Sequence, residues 1–336
     1  MEVLTMAQPK LPKTPVSIAE VVDKLAANHI VTPATDRFTG HFERLFRRSD
    51  SDDGAIVPRL HTGGLETRGV MVLGEPGSGK TALVRHHLQN HEGLVPIAGN
   101  DWSQYLHITV PSPATLKSVG LEILKKLHYP NISERAERWK IWEAVKHRLS
   151  LLGIKVLWID EAHDLFSPSA ARERDDILKT IKSLMQGEHA VVIVLSGTKL
   201  LGELTEVDLQ VARRFSTVIL SEISYASDGE NLEGLIAHYA ETAGLAVNFT
   251  DDLIQRLIYA SGNQFGRAVE LIVFAIEAAL EEGAKQLGVE AFASAWALQE
   301  GCGFDENIFV ARDWAMLPGP HEHATLADSK RKRGRK

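Results

Sequence analysis

The sequence predicts an α/β fold in which a parallel five-stranded sheet flanked by helices is followed by a small all-helical domain. Three observations predict it. Short apolar runs alternate with helical patterns between residues 69 and 227, the grammar of a parallel sheet covered on both faces. A glycine-rich loop joins the first of these runs to a helix. From about Asp228 the strand signals stop, and four amphipathic segments follow.

The elements follow in order. Residues 1–15 hold Pro9, Pro12 and Pro15 with little periodicity and predict a flexible lead. Residues 16–68 predict a helical segment packing on the core. Ile18, Val21, Val22 and Leu25 lie at helical spacing after Ser17, a candidate N-cap. The charged stretch ERLFRRSDSDDGA predicts a solvated loop. RGVMVLG, ending at Gly74, reads as a buried strand, and TALVRHHLQNH as the helix after it. YLHITV is the second strand. Leu116, Val119, Ile123 and Leu127 then mark one helical face. A second helix, ERWKIWEAVKHRLSLL, precedes the third strand, KVLWID. The helix ERDDILKTIKSLMQ leads to the fourth strand, AVVIVLSG. A short helical segment carrying VARRF leads to the fifth strand, TVILSEI. Residues 228–303 predict a helical lid of four helices. Residues 304–336 predict an extension ending in a disordered basic tail.

Composition sets limits. Of 336 residues, 44 are acidic and 37 basic, a net charge of −7. Six of the basic residues lie in the last eight, SKRKRGRK. An acidic body with a basic tail points to a polyanion contact or an extended arm. The single cysteine, Cys302, excludes an internal disulfide and a multi-cysteine zinc site, and reads as a small buried hydrophobe. No apolar run approaches the roughly 18–20 residues of a membrane span, and the N-terminus lacks a signal peptide's apolar region. The expectation is a cytoplasmic protein with no membrane contact.

The chemistry concentrates in a few places. Gly74, Glu75, Pro76, Gly77, Ser78, Gly79, Lys80 and Thr81 match G-x-x-x-x-G-K-[ST] between a strand and a helix. Such a loop converges backbone N–H groups on an anion at a helix N-terminus. Lys80 reaches the β- and γ-phosphates, and the Thr81 hydroxyl binds Mg²⁺. The third strand ends in Asp160 and Glu161. Asp160 is placed to hold Mg²⁺, and Glu161 to polarise attacking water as general base. Ser196 and Thr198, ending the fourth strand, offer hydroxyls where a γ-phosphate would be sensed. Arg213 and Arg214 precede the fifth strand, where an arginine finger would be offered to a neighbouring subunit; Arg214 is preferred. Arg267 lies one turn into a helix of the lid, where it could couple lid position to nucleotide state. His86 and His87 point apart on their helix, and His321 and His323 lie in the tail, so neither pair predicts a metal site.

These motifs in this order resemble an AAA+ ATPase over roughly residues 35–303. GEPGSGKT, PSPATLKSVGLEIL, VLWIDEAHDL, VLSGTKLL, VARRF and GNQFGRAVEL narrow the resemblance to the TniB/TnsC family of transposition regulators. TPATDRFTGHFERLF also resembles the start of that family. The resemblance implies a protein that binds ATP and Mg²⁺ and assembles as a homo-oligomer, a ring or helical filament, on duplex DNA. It implies partners in a DDE-type transposase and a target-selection protein, with ATP hydrolysis disassembling the filament. It also implies strand-tracking DNA contacts near Thr115 and Lys117; the rival reading is that Thr115 only caps a helix and Lys117 is solvated. About 35 residues follow the last predicted helix, too few for the winged helix of the origin-binding relatives. Two other readings stand beside this one: a signalling ATPase assembling on a protein partner, and a helper that loads a client onto DNA.

Overall fold

The computed structural model describes residues 17–49, 55–96, 103–129, 132–133, 135–166, 173–206, 208–250 and 252–319. The flexible lead, most of the SDSDDG stretch, His321, His323 and the SKRKRGRK tail lie outside the described residues. The chain divides into two compact units. One contains α1 (Ile18–Ala26), the segment Ile223–Asn263 and the described chain from Arg267 onward. The other contains His29–Glu222 with Gln264–Gly266.

The second unit is built on a sheet. It runs α2 (Pro33–Glu43), β1 (Phe46–Arg48), β2 (Ile56–Pro58), β3 (Gly69–Leu73), α3 (Lys80–Asn90), β4 (Tyr105–Thr109), α4 (Leu116–Lys126) and α5 (Arg138–Leu151). It continues with β5 (Val156–Asp160), α6 (Arg174–Leu184), β6 (Val192–Gly197), α7 (Lys199–Glu206), α8 (Leu209–Ala212) and β7 (Phe215–Ile219). The five-stranded sheet has the order β4-β5-β6-β3-β7, and every pairing in it is parallel. Its central strands β3, β5 and β6 are buried at every residue, while β4 and β7 at the edges are partly exposed. This is the predicted sheet with helices on both faces.

Alternate residues of one strand serve opposite faces of the sheet. Met71, Leu157, Ile159, Ile193 and Leu195 join a core with α4, α5 and α6. Val70, Val72, Val156, Trp158, Val192 and Val194 join a second core with Leu83, Val84 and Leu88 of α3 and Phe38 and Phe42 of α2. Phe38 and Phe42 are fully buried, and each contributes roughly 2–3 kcal/mol by leaving water.

Three features depart from the sequence reading. The helical pattern from Val16 to Leu45 is two helices that fall in different units: α2 packs on β3 and β7, while α1 groups with α9. The charged stretch after α2 opens as β1, paired antiparallel with β2, because Leu45 and Phe46 are buried. Cys302 is half-buried rather than core.

The helical unit holds α9 (Tyr225–Ala243), β8 (Ala246–Val247), α10 (Leu253–Ala260), α11 (Phe265–Glu281, from Arg267), β9 (Gln286–Leu287) and α12 (Val289–Glu300). The four helices are those the pattern predicts. Beyond them Ile308 and Phe309 are buried, and Phe309 packs against Phe292 and Trp296. No described helix is long and apolar enough to cross a membrane.

Candidate functional site

β6 lies between β3 and β5, so three strand ends meet at one edge of the sheet. The register sets Val72 beside Ser196, Leu73 beside Gly197, and Ile159 beside Leu195. Side chains that close these strands therefore converge where ligands bind in open parallel sheets.

The phosphate loop leaves β3 at Gly74, whose N–H donates to Gly197 O at 3.1 Å. Gly77 and Gly79 have φ of 80° and 97°, conformations that side chains disfavour, and Gly79 caps α3. Lys80 is 5% exposed. Its Nζ donates to the carbonyl oxygens of Gly74 (3.0 Å) and Glu75 (3.1 Å). Burial holds the Lys80 ammonium below its ordinary range, against the opposing pull of Glu161, Asp160 and Glu75. Ser78 Oγ is buried without a hydrogen-bond partner among the described residues. An orphaned hydroxyl, a buried ammonium on its own loop and a helix N-terminus form a donor-rich cradle suited to phosphate oxygens.

Asp160 is buried, and both its carboxylate oxygens accept hydrogen bonds. Oδ2 accepts from Thr81 Oγ1 at 2.8 Å. Oδ1 accepts from the Ser196 hydroxyl and from the Glu161 N–H at 3.1 Å. Ser196 in turn accepts from Trp158 Nε1 at 2.7 Å. The chain Trp158–Ser196–Asp160–Thr81 thus ties β5, β6 and the start of α3 together. A hydroxyl and a carboxylate at this spacing are a hard-oxygen pair suited to Mg²⁺.

Glu161 has φ of 54°, uncommon for a residue with a side chain. Its carboxylate is 40% exposed and lies 3.3 Å from His163 Nδ1, an ion-pair distance without hydrogen-bond geometry. Thr198 is half-buried at the start of α7, where its carbonyl accepts from Leu201 N–H.

The two arginines before β7 differ. The Arg214 side chain is 4% exposed. It pairs with Glu66 and donates to Lys182 O at 3.2 Å. The Arg213 side chain is 58% exposed and meets Glu66 Oε1 at 3.3 Å. Burial raises the Glu66 carboxyl, but the Thr62 hydrogen bond and the Arg214 and Arg213 charges outweigh it, and the net shift is downward. A finger must reach out of its own chain. The preference for Arg214 does not suit these surroundings, and Arg213 is the residue with the freedom to reach. Glu66 was not legible beforehand, because a lone acid in a loop carries no pattern.

Other expected residues have contacts of their own. Arg267 sits in the helical unit, 3.9 Å from Glu300. Thr115 caps α4 in a reciprocal pair with Ser118. The Leu116 N–H beside it already donates to Glu173 Oε2 at 2.9 Å, so this helix N-terminus has an intramolecular acid. Lys117 is half-buried. Gly266, within GNQFGRAVEL, belongs to the sheet unit. A Cβ there would lie 2.5 Å from Gly77 O and 3.1 Å from Gly79 N, so the chain rests directly on the phosphate loop.

Known proteins place this geometry. The chain is similar in structure to the Orc1 protein of Aeropyrum pernix, solved in complex with DNA. The TM-score is 0.57 at 16% identity, covering 85% of this chain and 69% of that one. Cdc6p of Pyrobaculum aerophilum gives 0.57 at 15%, covering 84% and 75%. The Aeropyrum pernix ORC2 protein in its ADP form gives 0.50 at 15%, covering 84% and 75%. At these identities the likeness shows the fold alone, an AAA+ P-loop fold. No curated protein matches the chain. Residues 61–225 match the family described as Bacterial TniB protein. That segment, which holds the phosphate loop, the Asp160–Glu161 pair and both arginines, is similar to the TniB family.

Proposed function

We propose that the chain is an ATP-dependent regulator of DNA transposition, a cytoplasmic ATPase that assembles as a homo-oligomer on duplex DNA. In this reading it recruits and activates a DDE-type transposase, answers to a target-selection protein, and leaves the DNA when it hydrolyses ATP. The observation that carries the reading is the Thr81–Asp160–Ser196 network facing a buried Lys80 within the TniB-matching segment. The DNA bound to the similar Orc1 protein and the ADP form of the similar ORC2 protein support it.

The residues divide the work. Lys80, Ser78 and the N–H groups of the loop Gly74–Thr81 bind and orient the phosphates. Thr81 Oγ1 and Asp160 hold the cation. Magnesium-bound ATP supplies the γ-phosphoryl group and the charge neutralisation that its hydrolysis needs. The Glu161 carboxylate, 40% exposed, takes a proton from water. Ser196 positions Asp160, and Thr198 senses the γ-phosphate. Arg213 reaches the neighbouring subunit, and Arg267 links the lid to the nucleotide. Lys117 and the N-terminus of α4 touch the DNA backbone once Glu173 withdraws from Leu116.

Sedimentation velocity tests the reading. ATP and duplex DNA together should produce large assemblies. Lys80→Ala should abolish them, and Glu161→Gln should trap them. Sedimentation unchanged by ATP and DNA would overturn the proposal.

A further inference from the structure

At the far end of α3 from the phosphate loop, Glu43, His87 and His91 each offer a ligand atom within 4.8 Å of the others. Glu43 is the last residue of α2. His87 and His91 are four residues apart, so they share one face. The rings of adjacent His86 and His87 diverge, so as a pair they predict no metal site. That holds for the pair, but His87 finds its partner one turn on.

The rings are held from several sides. Phe42 meets His87 and His91 edge-on, with centroids 4.8 Å and 5.3 Å away. Phe38 meets His87 at 5.0 Å. His87 Nδ1 lies 3.2 Å from Thr39 Oγ1, while its Nε2 is buried without a hydrogen-bond partner among the described residues. An Nδ1–H donated to Thr39 leaves the Nε2 lone pair unused and fixes the tautomer a metal requires. A hydrophobic residue would fill the same space without an orphaned nitrogen.

We propose that Glu43, His87 and His91 form a binding site for a divalent transition-metal ion of the zinc class. Two imidazoles and one carboxylate are a donor set that such ions accept, with a fourth position left to water. His91 Nδ1 accepts from Gly93 N–H at 3.0 Å, so its proton sits on Nε2, 3.0 Å from Glu43 Oε1. The metal takes the place of that proton, and Nδ1 then carries one at the expense of the Gly93 contact. The affinity is therefore below that of a closed structural site. The ion would staple α2 to the end of the phosphate-loop helix.

Zinc chloride titrated into the chelator-treated full chain tests this by calorimetry. One saturable site is expected, with a higher melting temperature. His87→Ala should remove the site, and His86→Ala should keep it. Glu43→Gln changes only an exposed side chain and should weaken the site by at least about tenfold. It carries the test if His87→Ala fails to fold. Cobalt bound in zinc's place should give a four-coordinate visible spectrum that Glu43→Gln alters. No saturable zinc binding would overturn the proposal. So would binding that His87→Ala and Glu43→Gln leave unchanged, including zinc held by the tail histidines.

Discussion

Replacing the arginines before β7 one at a time should separate stability from activity. Arg214 is 4% exposed at its side chain and holds Glu66, itself 8% exposed. Truncating it leaves a buried carboxylate short of a partner and frees Lys182 O. Breaking a buried pair costs about 3–5 kcal/mol. Thr62 and Arg213 still reach Glu66, which favours the lower end, about 3 kcal/mol. A domain of this size loses roughly 2–4 °C of melting temperature per kcal/mol. Arg214→Ala should therefore melt about 6–12 °C lower. Arg213 is 58% exposed at its side chain, and an exposed pair contributes about 0–1 kcal/mol. Arg213→Ala should melt close to wild type yet lose ATPase activity in the DNA-bound assembly. Differential scanning calorimetry and a DNA-stimulated phosphate-release assay measure the two effects. The reasoning fails if Arg213→Ala destabilises as much as Arg214→Ala. It also fails if Arg214→Ala is stable and selectively inactive.

Three further outcomes follow from the geometry. Gly266→Ala sets a Cβ 2.5 Å from the Gly77 carbonyl, a backbone group that cannot swing aside. ADP affinity should fall at least about tenfold, about 1.4 kcal/mol, and an unchanged Kd by fluorescence titration would contradict this. Ser196→Ala leaves the buried Trp158 indole N–H unpaired and should cost about 1–3 kcal/mol. Adding Trp158→Phe should recover part of that loss in a double-mutant cycle. Burial pushes His87 and His107 down to about 4, from an ordinary 6.5. The unfolded chain then binds more protons than the folded one between these values. The stability present above pH 6.5 is lost as pH falls towards about 4, with a slope of at most about 2.7 kcal/mol per pH unit for two protons. Urea midpoints equal at about pH 7.5 and pH 5 would refute it.

The sheet was legible because its central strands are buried on both faces. Such strands must be unbroken apolar runs, and β3, β5 and β6 are. The phosphate loop was legible because glycines, Lys80 and Thr81 at fixed spacing have few other uses. What escaped depends on contacts distant in sequence. Glu66 lies about 150 residues before the arginines it organises. The Arg213–Arg214 choice turns on burial, which two adjacent identical residues do not reveal. Thr115 was legible as a cap, but not the Glu173 carboxylate that occupies the same helix N-terminus. His87 looked partnerless because Glu43 comes from another helix. The split of α1 from α2 followed no change in pattern, since both are amphipathic or half-buried helices with ordinary caps.

The central claim is that nucleotide drives assembly of this chain on duplex DNA. Negative-stain microscopy of the full chain with duplex DNA and a nonhydrolysable ATP analogue tests it most directly. Rings or filaments following the duplex are predicted, absent with Lys80→Ala and absent without nucleotide. Isolated particles under every condition, with the analogue shown to be bound, would contradict the claim.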